Sequence, residues 1–230
     1  MIPSDNNFSA VILFDIDYTL FAANKFRRKI FKAIKKNIAY NKINNIDRVL
    51  KNAYIASRED TGYFRLRPFL ENLSTKLKTK VSSDALEKTI LKENIITGNL
   101  YEGAKKVLHT LSKNKLLRIG IFSGGEYAFQ RKKIRQIEDF LHKEHIHIFT
   151  SRKRKELPYI VDKYKKYKLY IVDDVLEVLH TAKSLNKNIF TIWIKRRRFA
   201  KEKEIIPGFT PEAIIKNLRE VIDIVGRNFQ

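Results

Sequence analysis

Asp15 and Asp17 close the run Val11-Ile12-Leu13-Phe14-Asp15-Ile16-Asp17-Tyr18-Thr19-Leu20. Four apolar residues lead straight into two carboxylates spaced two apart, with a hydroxyl two further on. A short unbroken apolar run reads as a buried parallel strand. Ligands of open α/β sheets bind just beyond the carboxyl ends of such strands. Successive side chains of an extended chain alternate faces, so the two acids lean to the same side. That pairing suits a nucleophile or metal ligand placed beside a proton-transfer group.

Two later segments repeat the pattern of an apolar strand ending in polar residues. Leu116-Leu117-Arg118-Ile119-Gly120-Ile121-Phe122-Ser123-Gly124-Gly125 ends on a hydroxyl and two glycines, and Leu169-Tyr170-Ile171-Val172-Asp173-Asp174 ends on two acids. Helical patterns separate the three. Taken in this order, they resemble the first, second and fourth motifs of the haloacid dehalogenase-like superfamily, and the resemblance spans nearly the whole chain. It implies a Rossmann-like α/β core, a parallel sheet flanked by helices, with an all-helical cap inserted between the first and second motifs. An Asp at the second acidic position resembles the phosphatases of the superfamily, because a departing halide needs no proton.

The resemblance assigns roles residue by residue. Asp15 is the expected nucleophile, forming an aspartyl-phosphate. Asp17 is the expected general acid and then base. Mg²⁺ is the implied cofactor, held by Asp15, the backbone carbonyl of Asp17, and Asp173, with Asp174 acting through water or orienting the loop. Ser123 and the N–H groups freed by Gly124 and Gly125 are placed around the phosphate. Thr19 joins this set by orienting the Asp15 loop. For the lysine of the third motif, Ser151-Arg152-Lys153-Arg154-Lys155 offers two choices. Lys155 is preferred because it immediately precedes the helix that opens at Leu157-Pro158, with Lys153 the alternative.

These motifs need elements to position them. The catalytic core is expected over 1–20 and 99–230, with the cap over 21–98. Within the cap, Phe26, Ile30, Ile34 and Ile38 recur every four residues in a very basic helix. Further helices are expected over Ile46–Ser57 and Arg67–Leu77, and from an N-cap at Ser83. In the core, the pattern predicts a long basic helix over Tyr127–Lys143, a strand over His147–Thr150, and a helix from Pro158. A helix over Val175–Leu185 and a strand over Asn188–Ile194 follow, with a last helix from Thr210-Pro211-Glu212.

The chain has no cysteine, which excludes disulfides, thiolate catalysis and cysteine-type zinc sites. No apolar run approaches membrane-spanning length, and the first residues lack the basic start of a secretory signal, so a cytoplasmic location is expected. The 47 Lys and Arg against 25 Asp and Glu leave a net charge of +22. Such an excess makes nucleic acid a possible partner, but few Gly and many Lys, Ile and Asn also fit an AT-rich genome. A small phosphorylated substrate is the favoured partner. Within the cap, the loop Thr61-Gly62-Tyr63-Phe64-Arg65-Leu66-Arg67 is expected to set specificity, with Arg65 or Arg67 available to a second anionic group. Lys195-Arg196-Arg197-Arg198 follows a strand and offers itself to an anionic substrate tail. His142, His145 and His147 fall within six positions of one another, but they straddle a helix end and a strand start, so solvated or capping roles are expected rather than a metal.

Overall fold

The computed structural model describes residues 8–38, 45–77, 82–91, 93–196 and 206–227. Six parallel strands form one sheet in the order β3-β2-β1-β4-β5-β6. They are β1 (Ala10–Phe14), β2 (Leu117–Gly124), β3 (Ile146–Phe149), β4 (Lys168–Asp173), β5 (Phe190–Ile194) and β6 (Ala213–Ile215). Central β1 is wholly buried, as its unbroken apolar run requires. Its alternate residues feed two cores: Ala10, Ile12 and Phe14 on one face, Val11 and Leu13 on the other. Phe14 pairs with Ile121 of β2 and Val172 of β4, so the residues just beyond these strands emerge along one edge.

Helices cover both faces. Between β1 and β2 come α1 (Ala23–Asn37), α2 (Ile46–Ala56), α3 (Leu66–Leu77), α4 (Ser83–Ile90) and α5 (Glu93–Ile96). Then α6 (Ala104–Ser112), α7 (Tyr127–Ile134) and α10 (Glu220–Arg227) add residues to the Phe14 core. Finally α8 (Leu157–Lys163) and α9 (Leu176–Leu185) pack on the Leu13 side. In α1, Phe26, Ile30 and Ile34 are buried, and the lysines and arginines take the outer positions. The chain leaves the sheet and returns to it side by side. Phe21 bridges Leu100, Ala22 N–H donates to Asn99 C=O at 2.7 Å, and Tyr101 N–H donates to Leu20 C=O at 2.9 Å.

Three local expectations are corrected. The cap of α4 is Ser82, whose hydroxyl accepts from Ala85 N–H at 3.2 Å, while Ser83 pairs with Ser74. The basic helix after β2 stops at Ile134 and tightens into a 3-10 turn over Arg135–Phe140. The following turn, Lys143–His145, must pack directly on β2, where a Cβ at Gly120 would lie 2.2 Å from the His145 carbonyl oxygen. Thr210-Pro211-Glu212 opens β6 instead of a helix. Thr191 N–H and hydroxyl donate to the Glu212 carboxylate at 2.8 and 2.6 Å, tying the segment to β5. The last helix starts at Glu220, where its carboxylate accepts from Lys216 N–H and Asn217 N–H. Among the described residues, no helix is long and apolar enough to cross a membrane.

Candidate active site

A cleft of about 350 Å³ opens at the carboxyl ends of the central strands. Asp15 enters it directly from β1, its N–H bonded to Val172 C=O at 2.9 Å. The next residues turn back at once. Ile16 C=O accepts from both Leu20 and Phe21 N–H, and Tyr18 adopts a left-handed φ of 64°. A non-glycine residue there costs on the order of 1–2 kcal/mol, here offset by Tyr18 N–H bonding Phe21 C=O at 2.8 Å. The turn presents Asp17 to the same cleft as Asp15.

Asp15, Asp173 and Asp174 are all buried, and one oxygen from each lies within 4.8 Å of the others. Asp15 and Asp173 share Lys153, whose ammonium stands 2.9 Å from Asp15 and pairs with Asp173 as well. It also donates to Phe122 C=O at 3.2 Å. Burial disfavours the Lys153 ammonium, but the two carboxylates outweigh it and hold its pKa above the ordinary lysine value. Burial pushes the Asp173 carboxyl up to about 6; Asp15 acts in the same direction, and Lys153 and the Val175 N–H oppose it. The Asp174 loop is anchored by Trp193, whose indole N–H donates to Asp174 C=O at 3.2 Å. Three buried carboxylates bring hard oxygen donors within reach of one another, a set that suits a small divalent cation.

Asp17 takes a different partner. Both its carboxylate oxygens receive Lys133 of α7, at 2.7 and 2.8 Å, and Gln130 donates to one of them at 3.3 Å. The Lys133 ammonium is buried beside the rings of Phe21 and Phe129 at 5.2 and 5.0 Å. Sequence reasoning missed this pair. The available signal was two polar residues, three apart, on the otherwise apolar inner face formed with Phe129 and Ile134. Gln130 also donates to Gly124 C=O at 2.7 Å, and its side chain fills the space a Cβ on Gly125 would need.

Most of the expected residues meet in this cleft: Asp15, Asp17, Ser123 and Gly124 line it, and Asp173 and Asp174 stand behind Asp15. Gly125 N–H, however, donates to Phe149 C=O at 2.8 Å and so is already committed. The lysine choice is corrected. Lys153 reaches the carboxylates, whereas Lys155 is exposed and does not line the cleft. In the 3-10 turn Lys153–Glu156, residues two apart point about 120° apart, and with Lys153 on the acids Lys155 turns to the exposed side. Thr19 is corrected too. It is fully buried, does not line the cleft, and its hydroxyl has no hydrogen-bond partner among the described residues. In the insertion, Arg65 pairs with Asp60 and Arg67 with Glu71 and Asp84. The wall there is built instead by Tyr54, Arg58, Tyr63 and Phe64. Lys195 and Arg196 lie over the Trp193 and Tyr101 rings, and Arg197 and Arg198 fall outside the described residues.

Residues 10–179 match the family described as haloacid dehalogenase-like hydrolase. The chain belongs to that family of hydrolases. No curated protein matches it in sequence. Among solved structures, it is similar to a protein of Burkholderia xenovorans LB400 described as a haloacid dehalogenase-like hydrolase. The two share 17% identity and a TM-score of 0.76, covering 97% of this chain and 99% of the other. A similar fold occurs in the HAD-hydrolase YfnB of Bacillus subtilis bound to magnesium, with 16% identity, a TM-score of 0.66, and coverage of 95% and 99%. It also occurs in the L-2-haloacid dehalogenase of Xanthobacter autotrophicus with chloropropionic acid covalently bound, with 13% identity, a TM-score of 0.59, and coverage of 95% and 98%.

Proposed function

We propose that this hydrolase is a Mg²⁺-dependent phosphatase acting on a small phosphomonoester. The observation that carries the reading is Asp17, a second carboxylate presented to the cleft beside Asp15 and fixed there by Lys133. Displacing an alkoxide from phosphorus requires a proton donor, whereas displacing a halide from carbon does not. In a dehalogenase, Asp17 would have no task.

In the first step an Asp15 oxygen attacks phosphorus, the bond to the leaving oxygen breaks, and Asp17 gives that oxygen a proton. In the second, Asp17 takes a proton from water as the water oxygen attacks the aspartyl-phosphate. Inorganic phosphate leaves and Asp15 is restored. Asp15, Asp173 and Asp174 would hold the Mg²⁺, which neutralises charge between the carboxylates and the phosphoryl oxygens. Lys153 adds a fixed positive charge at the same place, and Ser123, which lines the cleft, is available to a phosphoryl oxygen. The insertion acts as a cap: Tyr54, Arg58 and Phe64 line the cleft, and Tyr63 hydroxyl donates across it to Thr150 C=O at 2.9 Å. A space of about 350 Å³ accommodates a small molecule.

Parallel assays of phosphate release from a phosphomonoester panel and chloride release from 2-chloropropionate, with and without Mg²⁺, test the reading. Mg²⁺-dependent phosphate release, reduced roughly 10³-fold or more in Asp15→Asn, is expected. Chloride release with no phosphate release would overturn it.

A further inference from the structure

Among the described residues, five cations line the cleft: Arg58, Lys133, Arg152, Lys153 and Arg154. The two lysines are consumed, Lys133 by Asp17 and Lys153 by Asp15 and Asp173. The three arginines have no carboxylate partner among the described residues, although Arg65 and Arg67, a few positions from Arg58, are both paired. Three unneutralised guanidinium groups around one small cleft repel each other and concentrate positive potential there. We infer that they form a second oxyanion subsite, so that the substrate carries a terminal phosphate or carboxylate besides the phosphoryl group at Asp15. This rests on the phosphatase reading and names its substrate class.

Arg58 is the fixed member. One of its terminal nitrogens donates to Gly62 C=O at 3.1 Å, and the guanidinium lies over the Tyr54 ring at 5.8 Å. Its Nε is buried without a hydrogen-bond partner among the described residues. The remaining N–H groups keep the planar fork that matches a phosphate or carboxylate with two parallel bonds. Arg152 and Arg154 approach from the core, on the turn that also carries Lys153. The two walls are tied together by the Tyr63–Thr150 hydrogen bond. An anion held between them therefore sits at the boundary of insertion and core, with its far end directed to the Asp15 edge of the same cleft. Ionic contacts from both walls would favour the arrangement in which insertion and core are closed on the substrate.

Unhydrolysable probes separate this inference from the reaction itself. Calorimetric titration compares linear alkane bisphosphonates of increasing length with alkyl monophosphonates of equal length, at constant free Mg²⁺. In parallel, phosphate release is measured from phosphomonoesters ending in phosphonate, carboxylate or hydroxyl. One bisphosphonate length is expected to bind roughly 10- to 100-fold more tightly than its monophosphonate. That ratio should fall towards one in Arg58→Met and be partly kept in Arg58→Lys. Arg154→Met, at an exposed position with no folding burden, should lower it by a smaller factor. The phosphonate- and carboxylate-ended esters show which oxyanion is preferred. A ratio near one in the native chain, or one left unchanged by both methionine variants, overturns the subsite. Arginine-dependent bisphosphonate binding without hydrolysis of any ester keeps the subsite and overturns the phosphatase reading. Hydrolysis without preference for a second anion does the reverse.

Discussion

Two groups of buried polar side chains, built on neighbouring parts of one sheet, are balanced in opposite ways. At the carboxyl ends of β1 and β4, Asp15, Asp173 and Asp174 converge beside a cleft, and Lys153 pairs with Asp15 and Asp173. Under β3, His145 and His147 both bond the Tyr164 hydroxyl, at 2.8 and 2.6 Å, in a pocket closed by Phe8 and Phe149. The hydroxyl donates to one ring and accepts from the other, so this trio needs no charge. Burial, reinforced by Lys163, lowers both imidazoles to about 4, although Glu144 pulls His145 the other way. His145 and His147 are therefore buried around one hydroxyl, where the sequence predicts solvated or capping roles, and the trio is structural. The acidic cluster gathers three carboxylates beside an opening, which is what a site that receives a cation and a phosphate requires.

The comparison breaks first at Lys153. Removing its charge leaves Asp15 and Asp173 buried against each other, so Lys153→Met should destabilise the fold by about 3–5 kcal/mol in urea unfolding. Lys155→Met, two positions along on the exposed side of the turn, should stay within about 0.5 kcal/mol. Equal effects from the two would refute the assignment of the lysine. Tyr164→Phe should cost about 1–3 kcal/mol, because it leaves two buried ring nitrogens unsatisfied, yet it should leave turnover unchanged. A further effect is in pH. Both histidines have folded pKa values below the ordinary 6.5. The unfolded chain therefore binds protons first as pH falls. The stability they contribute is complete above about 6.5 and is lost progressively towards about 4. Melting temperatures across that window should fall in the native chain and fall less in His147→Gln.

How much of this was legible in the sequence depends on whether the deciding interaction is local. Buried parallel strands advertise themselves as apolar runs, so β1, β2 and β4 and the polar residues at their ends could be read directly. Lys153 and Lys155 differ only in the direction they take from a 3-10 turn, and nothing local in Arg152-Lys153-Arg154-Lys155 distinguishes them. Lys133 meets Asp17 across 116 positions, a contact that only the packing of α7 on the sheet creates. Thr210-Pro211-Glu212 has every local mark of a helix start, but Glu212 is claimed by Thr191 and Lys183. There tertiary pairing overrides the local signal. Arg58 contacts Tyr54 and Gly62, four positions to either side, but its meeting with Arg152 and Arg154 in one cleft is made only by the tertiary fold.

The central claim is that Asp15 carries the phosphoryl group and Asp17 moves the protons. Asp17→Asn tests it most directly with para-nitrophenyl phosphate, whose leaving group departs without a proton, so that the first step still runs while the second, lacking its base, stalls and the aspartyl-phosphate accumulates. After incubation with para-nitrophenyl phosphate and Mg²⁺, acid quenching and peptide mass mapping should find one phosphoryl group on the peptide containing Asp15. It should be removed by hydroxylamine and absent from Asp15→Asn/Asp17→Asn. Continued phosphate release by Asp17→Asn at the native rate, or a phosphoryl group on any other residue, would contradict the account.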